Sequence, residues 1–228
     1  MEHFLPVAAS TFAGPMDRLM TLIMVITGVW FVAAEAVLFY LIIKYRRRPG
    51  KPASYVAGST RNQMAWVLLP CVAILAFDFW IEGASAPVWD EIKLHRPPHK
   101  LVVRIDGRQW AWETTNPGPD GKLDTPDDIT ATNELHVPVN EVVQFELRSK
   151  DVLHSFWVPE LRLKQDVVPG RTILGWFEAT RPGQYGILCA QLCGVAHALM
   201  HGTLYVDTPE GYRQYLASQA KNGGTATP

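Results

Sequence analysis

The stretch LMTLIMVITGVWFVAAEAVLFYLII, Leu19 to Ile43, decides how the rest of the chain is read. It holds 25 residues and a single acid, Glu35. At ~1.5 Å of rise per residue a helix of that length reaches ~37 Å, enough to cross the ~30 Å hydrocarbon layer of a bilayer with some tilt. A cleaved signal sequence calls for a shorter apolar stretch and then small residues. Here the run gives way to Lys44-Tyr45-Arg46-Arg47-Arg48 instead. A second, weaker run from Met64 to Ile81 contains Pro70 and Asp78, and still reads as a span because membrane helices tolerate proline. The competing reading is a helical hairpin buried in a soluble protein.

Orientation is set by the segment between the two runs. Lys44, Arg46, Arg47, Arg48, Lys51 and Arg61 lie there with no acid among them, so the positive-inside rule puts that loop in the cytoplasm and both termini outside. Tyr40, Tyr45, Trp66 and Trp80 sit near the span ends, where aromatic belts form. The expected division is an extracytoplasmic segment over 1–18, a membrane hairpin over 19–83, an outer domain over 84–207, and a C-terminal helix and tail over 208–228. With a net charge of −1, nothing points to nucleic acid as a partner.

From Lys100 onward the apolar period changes to two. Leu101, Val103 and Ile105 alternate with other residues, as do Val143, Phe145 and Leu147 within Val142 to Arg148. Thr172 to Glu178, Gln184 to Leu188 and Gly202 to Val206 are further strand candidates, separated by Pro169-Gly170 and Pro182-Gly183 turns. Many short strands in so small a domain predict a Greek-key β-sandwich or barrel. Thr208-Pro209 predicts an N-cap and first turn for a short helix to about Gln219, and the tail from Lys221 is expected to fray. The acidic stretch from Asn116 to Asp128 reads as a solvated hairpin loop. Its carboxylates also suit calcium, although the spacing is not that of an EF-hand.

The chemistry concentrates in Cys189-Ala190-Gln191-Leu192-Cys193-Gly194-Val195-Ala196-His197-Ala198-Leu199-Met200. Two thiols, an imidazole and a thioether form a soft donor set that suits copper and not calcium or magnesium. His154, 35 residues before Cys189, is the best placed further imidazole. In an oxidising compartment a disulfide accounts for Cys189 and Cys193 but leaves His197 and Met200 idle. A mononuclear blue copper site leaves one cysteine idle, and zinc has little use for Met200. Two coppers bridged by two thiolates would use every residue. Cys71, inside the second run, reads as a small hydrophobe.

The spacing Cys-x-x-x-Cys-x-x-x-His-x-x-Met, the upstream His154, two amino-terminal spans and a β-rich outer domain together resemble cytochrome c oxidase subunit II. Leu163 to Arg171 also matches that family. The resemblance covers most of the chain, from about Met16 to Val206. It implies a cupredoxin fold and a binuclear copper centre, CuA, bridged by Cys189 and Cys193. His154 and His197 would bind one copper each, with Met200 and the main-chain oxygen of Gln191 as weaker ligands. Leu192, Val195, Leu199 and Phe156 are expected to keep water from that centre. Gly107-Arg108-Gln109-Trp110-Ala111-Trp112 resembles the family's aromatic motif, which implies that Trp110 receives electrons from cytochrome c, while Trp112 reads as core. Asp120, Asp124, Asp127, Asp128, Glu134 and Glu160 are candidate acids for docking a basic donor.

The implied role is electron entry in a proton-pumping terminal oxidase of a bacterial cell membrane, with the metal domain and both termini in the periplasm. Partners would be haem-bearing subunit I, other oxidase subunits, the lipid bilayer and a separate cytochrome donor, because no Cys-x-x-Cys-His haem site occurs. Besides lacking that haem site, the sequence departs from the family at two positions. Gln191 replaces the usual Glu that helps hold magnesium at the subunit I interface, which weakens the case for that second metal. Gln63 replaces a Glu found at the mouth of a proton channel. Alternatives are the copper subunit of a nitric oxide reductase, a membrane-tethered copper carrier, and a quinol oxidase subunit, which Cys189, Cys193 and His197 argue against. His201 reads as a neighbour of the site or as an ordinary strand residue. His136, His95, His99 and His3 read as solvated or packed.

Overall fold

The computed structural model describes residues 5–53 and 55–221, so His3 and the end of the tail lie outside the described residues. The described chain forms two compact units, Pro15–Trp89 and the remainder.

The first unit carries α1 (Ala13–Lys44) and α2 (Arg61–Trp89), joined by the basic loop. Both helices are long and apolar enough to cross a membrane, and the apolar windows of neither are buried by protein. An apolar helix surface left uncovered all round suits lipid and not water. Both helices outrun the expected spans: α1 begins before Leu19, and α2 continues past Ile81 with Pro70 and Pro87 inside it. Trp30 meets Phe77 edge to face at 6.0 Å, which tethers the two helices. Gln63 has a local task. Its Oε1 accepts from the Thr60 N–H while Thr60 Oγ1 accepts from the Gln63 N–H, a reciprocal cap for the first turn of α2.

The second unit opens, after a single π turn at Asp90–Leu94, into ten strands and a closing helix. The strands are β1 (Leu101–Arg108), β2 (Ala111–Asn116), β3 (Ile129–Thr132), β4 (Glu134–Pro138), β5 (Val142–Ser149), β6 (His154–Val158), β7 (Leu163–Val167), β8 (Ile173–Glu178), β9 (Gly183–Cys189) and β10 (His201–Asp207). They form two five-stranded sheets, ordered β3-β2-β1-β5-β8 and β4-β10-β9-β6-β7. β1 with β5 and β10 with β4 run parallel, and the other pairs are antiparallel. The fold is therefore the expected two-helix hairpin followed by an all-β sandwich with a short C-terminal helix.

The alternation read from Leu101, Val103 and Ile105 is the buried face of β1, matched by Val143, Phe145 and Leu147 on β5. Between the sheets Phe156 meets Trp112 at 5.5 Å and Phe145 at 6.4 Å. Each such side chain contributes on the order of 1.5–3 kcal/mol by leaving water. Gly175 on β8 allows this packing, because a Cβ there would lie 2.3 Å from the Phe145 ring. Thr208 caps α3 (Pro209–Lys221) as its sequence predicts, its hydroxyl accepting from the Gly211 N–H at 3.1 Å.

The segment before α1 also belongs to the sandwich. Ala9 donates its N–H to Glu160 O at 2.9 Å and accepts from Thr180 N–H at 2.8 Å. Ser10 donates its hydroxyl to Leu161 O at 2.7 Å, and Phe12 packs edge to face on Trp176 at 4.6 Å. The two-helix unit is thus preceded and followed by chain that folds into one β unit.

Candidate metal centre

Three stretches bring the soft donors together. β6 starts at His154, β9 ends at Cys189, and the loop from Ala190 turns through a 3-10 segment, His197–Leu199, before β10 begins at His201. Pairing of β6 with β9 sets Phe156 opposite Cys189, and Ala190 N–H donates to Ser155 O at 3.0 Å, which fixes the loop's entrance. The loop closes on itself through His197 N–H to Gly194 O at 3.1 Å and Met200 N–H to His197 O at 3.2 Å.

Cys189 and Cys193 are both free thiols, with Sγ atoms 3.7 Å apart. His154 Nδ1 lies 4.0 Å from Cys189 Sγ, and His197 Nδ1 lies 3.5 Å from Cys193 Sγ. Met200 Sδ is 3.8 Å from Cys193 Sγ, and the main-chain oxygen of Gln191 is 3.3 Å from Cys189 Sγ. All six residues predicted as ligands therefore meet at one place. His154, Cys193 and Met200 are buried, and Cys189, Gln191 and His197 are half-buried.

The electrostatics suit a cation. His154 is 0% exposed, and its Nε2 lies 2.8 Å from Asp151 Oδ1. A carboxylate only accepts, so Nε2 is the nitrogen that donates to it, and Nδ1 is the one that faces the thiols. Burial works against the Asp151 carboxylate, but hydrogen bonds from His154 and from the Gln109 and Val152 N–H groups outweigh it and hold its pKa below the ordinary value. Burial, and then the neighbouring Cys189, push the Cys193 thiol up to about 11. The buried Cys193 thiol resists ionising unless a metal takes the place of its proton. The residues present thus fit a soft, thiophilic metal ion. His154, Cys189 and Cys193 also form a metal-competent group among the described residues.

Trp112 is core, fully buried between the sheets. Trp110 is half-buried beside the ligand loop, and its indole N–H has no hydrogen-bond partner among the described residues. A Cβ on Gly194 would sit 3.2 Å from Trp110 Nε1 and 2.8 Å from Gln109 Nε2, and Gly194 has φ +126°, so glycine serves both the conformation and the close approach.

One expectation fails for the chain by itself. Phe156 is buried in the sandwich and pairs with Cys189 across β6 and β9, but Leu192, Val195 and Leu199 are 76%, 94% and 72% exposed. Cys193 and Met200 are buried and His197 faces Cys193, while Leu192, Val195 and Leu199 around them turn outward and form an apolar collar.

The acidic loop satisfies itself. Asp124 makes a two-point ion pair with Arg104 at 2.7 and 2.8 Å, Asp127 accepts from Thr125 at 2.7 Å, and Asp128 accepts from the Asp124 N–H at 2.8 Å. This favours the solvated hairpin over a calcium site. His136 is packed, stacked between Tyr205 at 4.4 Å and Tyr215 at 3.8 Å with Nδ1 2.8 Å from Asp207. His95 and His99 are exposed, and His201, the first residue of β10, is exposed with Nδ1 2.7 Å from Leu199 O. Asp151 and Gln109 are the residues that the sequence reading passed over. A carboxylate three residues before a predicted ligand histidine was the available signal.

A β-sandwich carrying a partly buried Cys, Cys, His, His and Met cluster and following two membrane-length helices in the chain defines a membrane-anchored subunit with a metal-competent site. Residues 119–205 match the family model described as cytochrome c oxidase subunit II, periplasmic domain. The chain is 30% identical to cytochrome c oxidase subunit 2 of Synechocystis sp., over 95% of this chain and 76% of the relative. It is also 30% identical to the alternative cytochrome c oxidase subunit 2 of Bradyrhizobium diazoefficiens, over 92% and 82%. Among solved structures, the periplasmic domain of subunit II of cytochrome oxidase (CoxB) of Bradyrhizobium japonicum aligns with 28% identity and a TM-score of 0.49, over 56% of this chain and 98% of that one. The chain belongs to the cytochrome c oxidase subunit II family and is a membrane-anchored subunit of a cytochrome c oxidase.

Proposed function

We propose that this subunit receives electrons from cytochrome c, or an equivalent membrane-bound donor, through a binuclear copper centre, CuA, and passes them toward haem in subunit I for reduction of oxygen to water. The observation that carries this reading is the convergence of Cys189, Cys193, His154, His197, Met200 and the Gln191 carbonyl on one site whose thiols are unjoined. When bound, a copper pair would supply a one-electron carrier whose bonds change little on reduction.

The chain's own residues supply the rest. Cys189 and Cys193 would hold the metal through their thiolates, and His154 and His197 would each offer Nδ1. Met200 Sδ and the Gln191 carbonyl would be the weaker donors. Phe156 and the sandwich beneath keep that side of the site dry, which influences a redox centre through the local dielectric. Trp110, half-exposed and set against Gly194, puts an aromatic ring beside the ligand loop where a donor at the surface could reach it. The exposed collar of Leu192, Val195 and Leu199 suits burial against another subunit. Gln191 brings no charge to a magnesium ion, so the metal proposal is limited to copper.

The basic loop between α1 and α2 favours the cytoplasm. The chain before α1 and the chain after α2 fold into one unit, so they share a side of the membrane, here assigned to the periplasm. Metal analysis of the purified oxidase tests the function: two coppers are expected on this chain in addition to those of its partners. A single zinc ion, or one colourless copper, would contradict it.

A further inference from the structure

Asp151 holds more of the site than its place outside the ligand set suggests. One carboxylate oxygen lies 2.8 Å from His154 Nε2 and accepts from the Val152 N–H at 2.6 Å. The other accepts from the Gln109 main-chain N–H at 2.6 Å. Gln109 in turn donates its side-chain amide to Cys193 O at 2.7 Å. A closed circuit results, running from His154 through Asp151 and Gln109 to Cys193 and back across the sulfurs to His154. It joins the start of β6, the β1–β2 turn that carries Trp110, and the ligand loop.

We propose that Asp151 is a positioning residue that fastens the ligand histidine and the Trp110 turn to one carboxylate, so that the metal site and the electron-entry ring keep a fixed relation. This rests on the copper reading of the site, but the clamp itself is testable without metal.

The chemistry requires a carboxylate and not its amide. Every donor that reaches Asp151 is an N–H, and both oxygens are used. An asparagine offers one oxygen and one NH2, so either flip sets a donor against a donor. With the NH2 turned toward Gln109, the main-chain amide loses its acceptor. With the NH2 turned toward His154, Nε2 must accept, and the proton moves to Nδ1, the nitrogen facing the thiols. Both flips damage the site, at different ends of the circuit. Glutamate keeps two accepting oxygens on a longer arm and restores part of the arrangement.

The experiment compares the intact oxidase bearing Asp151→Asn or Asp151→Glu with the unsubstituted complex. Copper content, the thiolate–copper absorption and the reduction potential are read first. The kcat and KM for the cytochrome donor come next, and then hydrogen exchange of the Gln109 and Val152 amides in copper-depleted protein. Loss of a partner that orients a metal-binding histidine typically costs ~10–100-fold in metal affinity or activity. Asp151→Asn is therefore expected to weaken copper retention or lower kcat on that scale, to shift the absorption and potential, and to speed exchange at Gln109 or at Val152 according to the flip, with Asp151→Glu intermediate. A raised KM alone, with kcat, spectrum and exchange unchanged, would overturn the proposal and make Asp151 a docking charge. Unchanged exchange in Asp151→Asn would also overturn it. An unsubstituted complex with no thiolate–copper absorption would overturn the copper reading, and the exchange data would then decide the clamp separately.

Discussion

Cys189 Sγ and Cys193 Sγ lie 3.7 Å apart at the end of β9, unjoined, with an imidazole nitrogen facing each. Two thiols at that separation can bridge metal ions. The same pair oxidised to a disulfide would take both sulfurs out of ligation.

Cys193→Ser is accordingly expected to abolish the thiolate–copper absorption and donor oxidation, while the chain still inserts and assembles. A hydroxyl nearly preserves the volume in this buried position but is a poor ligand for a soft metal. Absorption spectroscopy and turnover of the purified complex check this, and normal turnover would sink the assignment.

Trp110→Phe and Trp110→Ala should slow electron entry progressively without loss of copper, because the ring touches the ligand loop but is no ligand itself. Stopped-flow reduction by the donor, paired with copper analysis, measures both. Equal entry rates in all three proteins would remove the role.

Gly194→Ala should disturb the same contact from the other side. The added methyl would meet Gln109 Nε2 at 2.8 Å, and alanine at φ +126° is strained by about 1–3 kcal/mol. A lower melting temperature and slower entry are expected together. A variant that keeps both would show that Trp110 does not need this approach.

Glu113 gives the fold a pH dependence away from the metal. Its carboxyl is held below the ordinary value by hydrogen bonding to Lys150, with burial opposing and Arg108 assisting. A depressed carboxylate stabilises the folded state above its unfolded pKa, ~4.3, and that contribution fades as pH falls through the lower folded value. Glu113→Gln should therefore lower stability at pH 7 by about 1 kcal/mol or less and make no difference in strong acid. Melting curves at the two pH values check the sign.

Much of this arrangement is legible in the sequence because its signals are local. Leu19 to Ile43 is too long and apolar for a soluble helix, and Thr208-Pro209 announces the cap that Thr208 makes. Cys189 to Met200 carries four of the side-chain donors at fixed spacing. The features that escaped depend on contacts between distant segments. β6 and β7 are short and lack clean alternation: His154, Ser155 and Phe156 are buried in succession on β6, and only the ends of β7, Leu163 and Val167, are buried. Asp151, Gln109 and Gly194 meet only after β6, the β1–β2 turn and the ligand loop converge, and no spacing rule links 109, 151 and 193. The exposure of Leu192, Val195 and Leu199 was also hidden, because apolar residues flanking ligands look the same in sequence whether they face inward or outward.

The most direct test is the electron paramagnetic resonance spectrum of the oxidised, purified oxidase. If the two thiolates clamp a copper pair, one unpaired electron is shared, and the hyperfine pattern is that of two equivalent copper nuclei. A pattern from a single copper nucleus, or no copper signal from this subunit together with a disulfide between Cys189 and Cys193, would contradict the account.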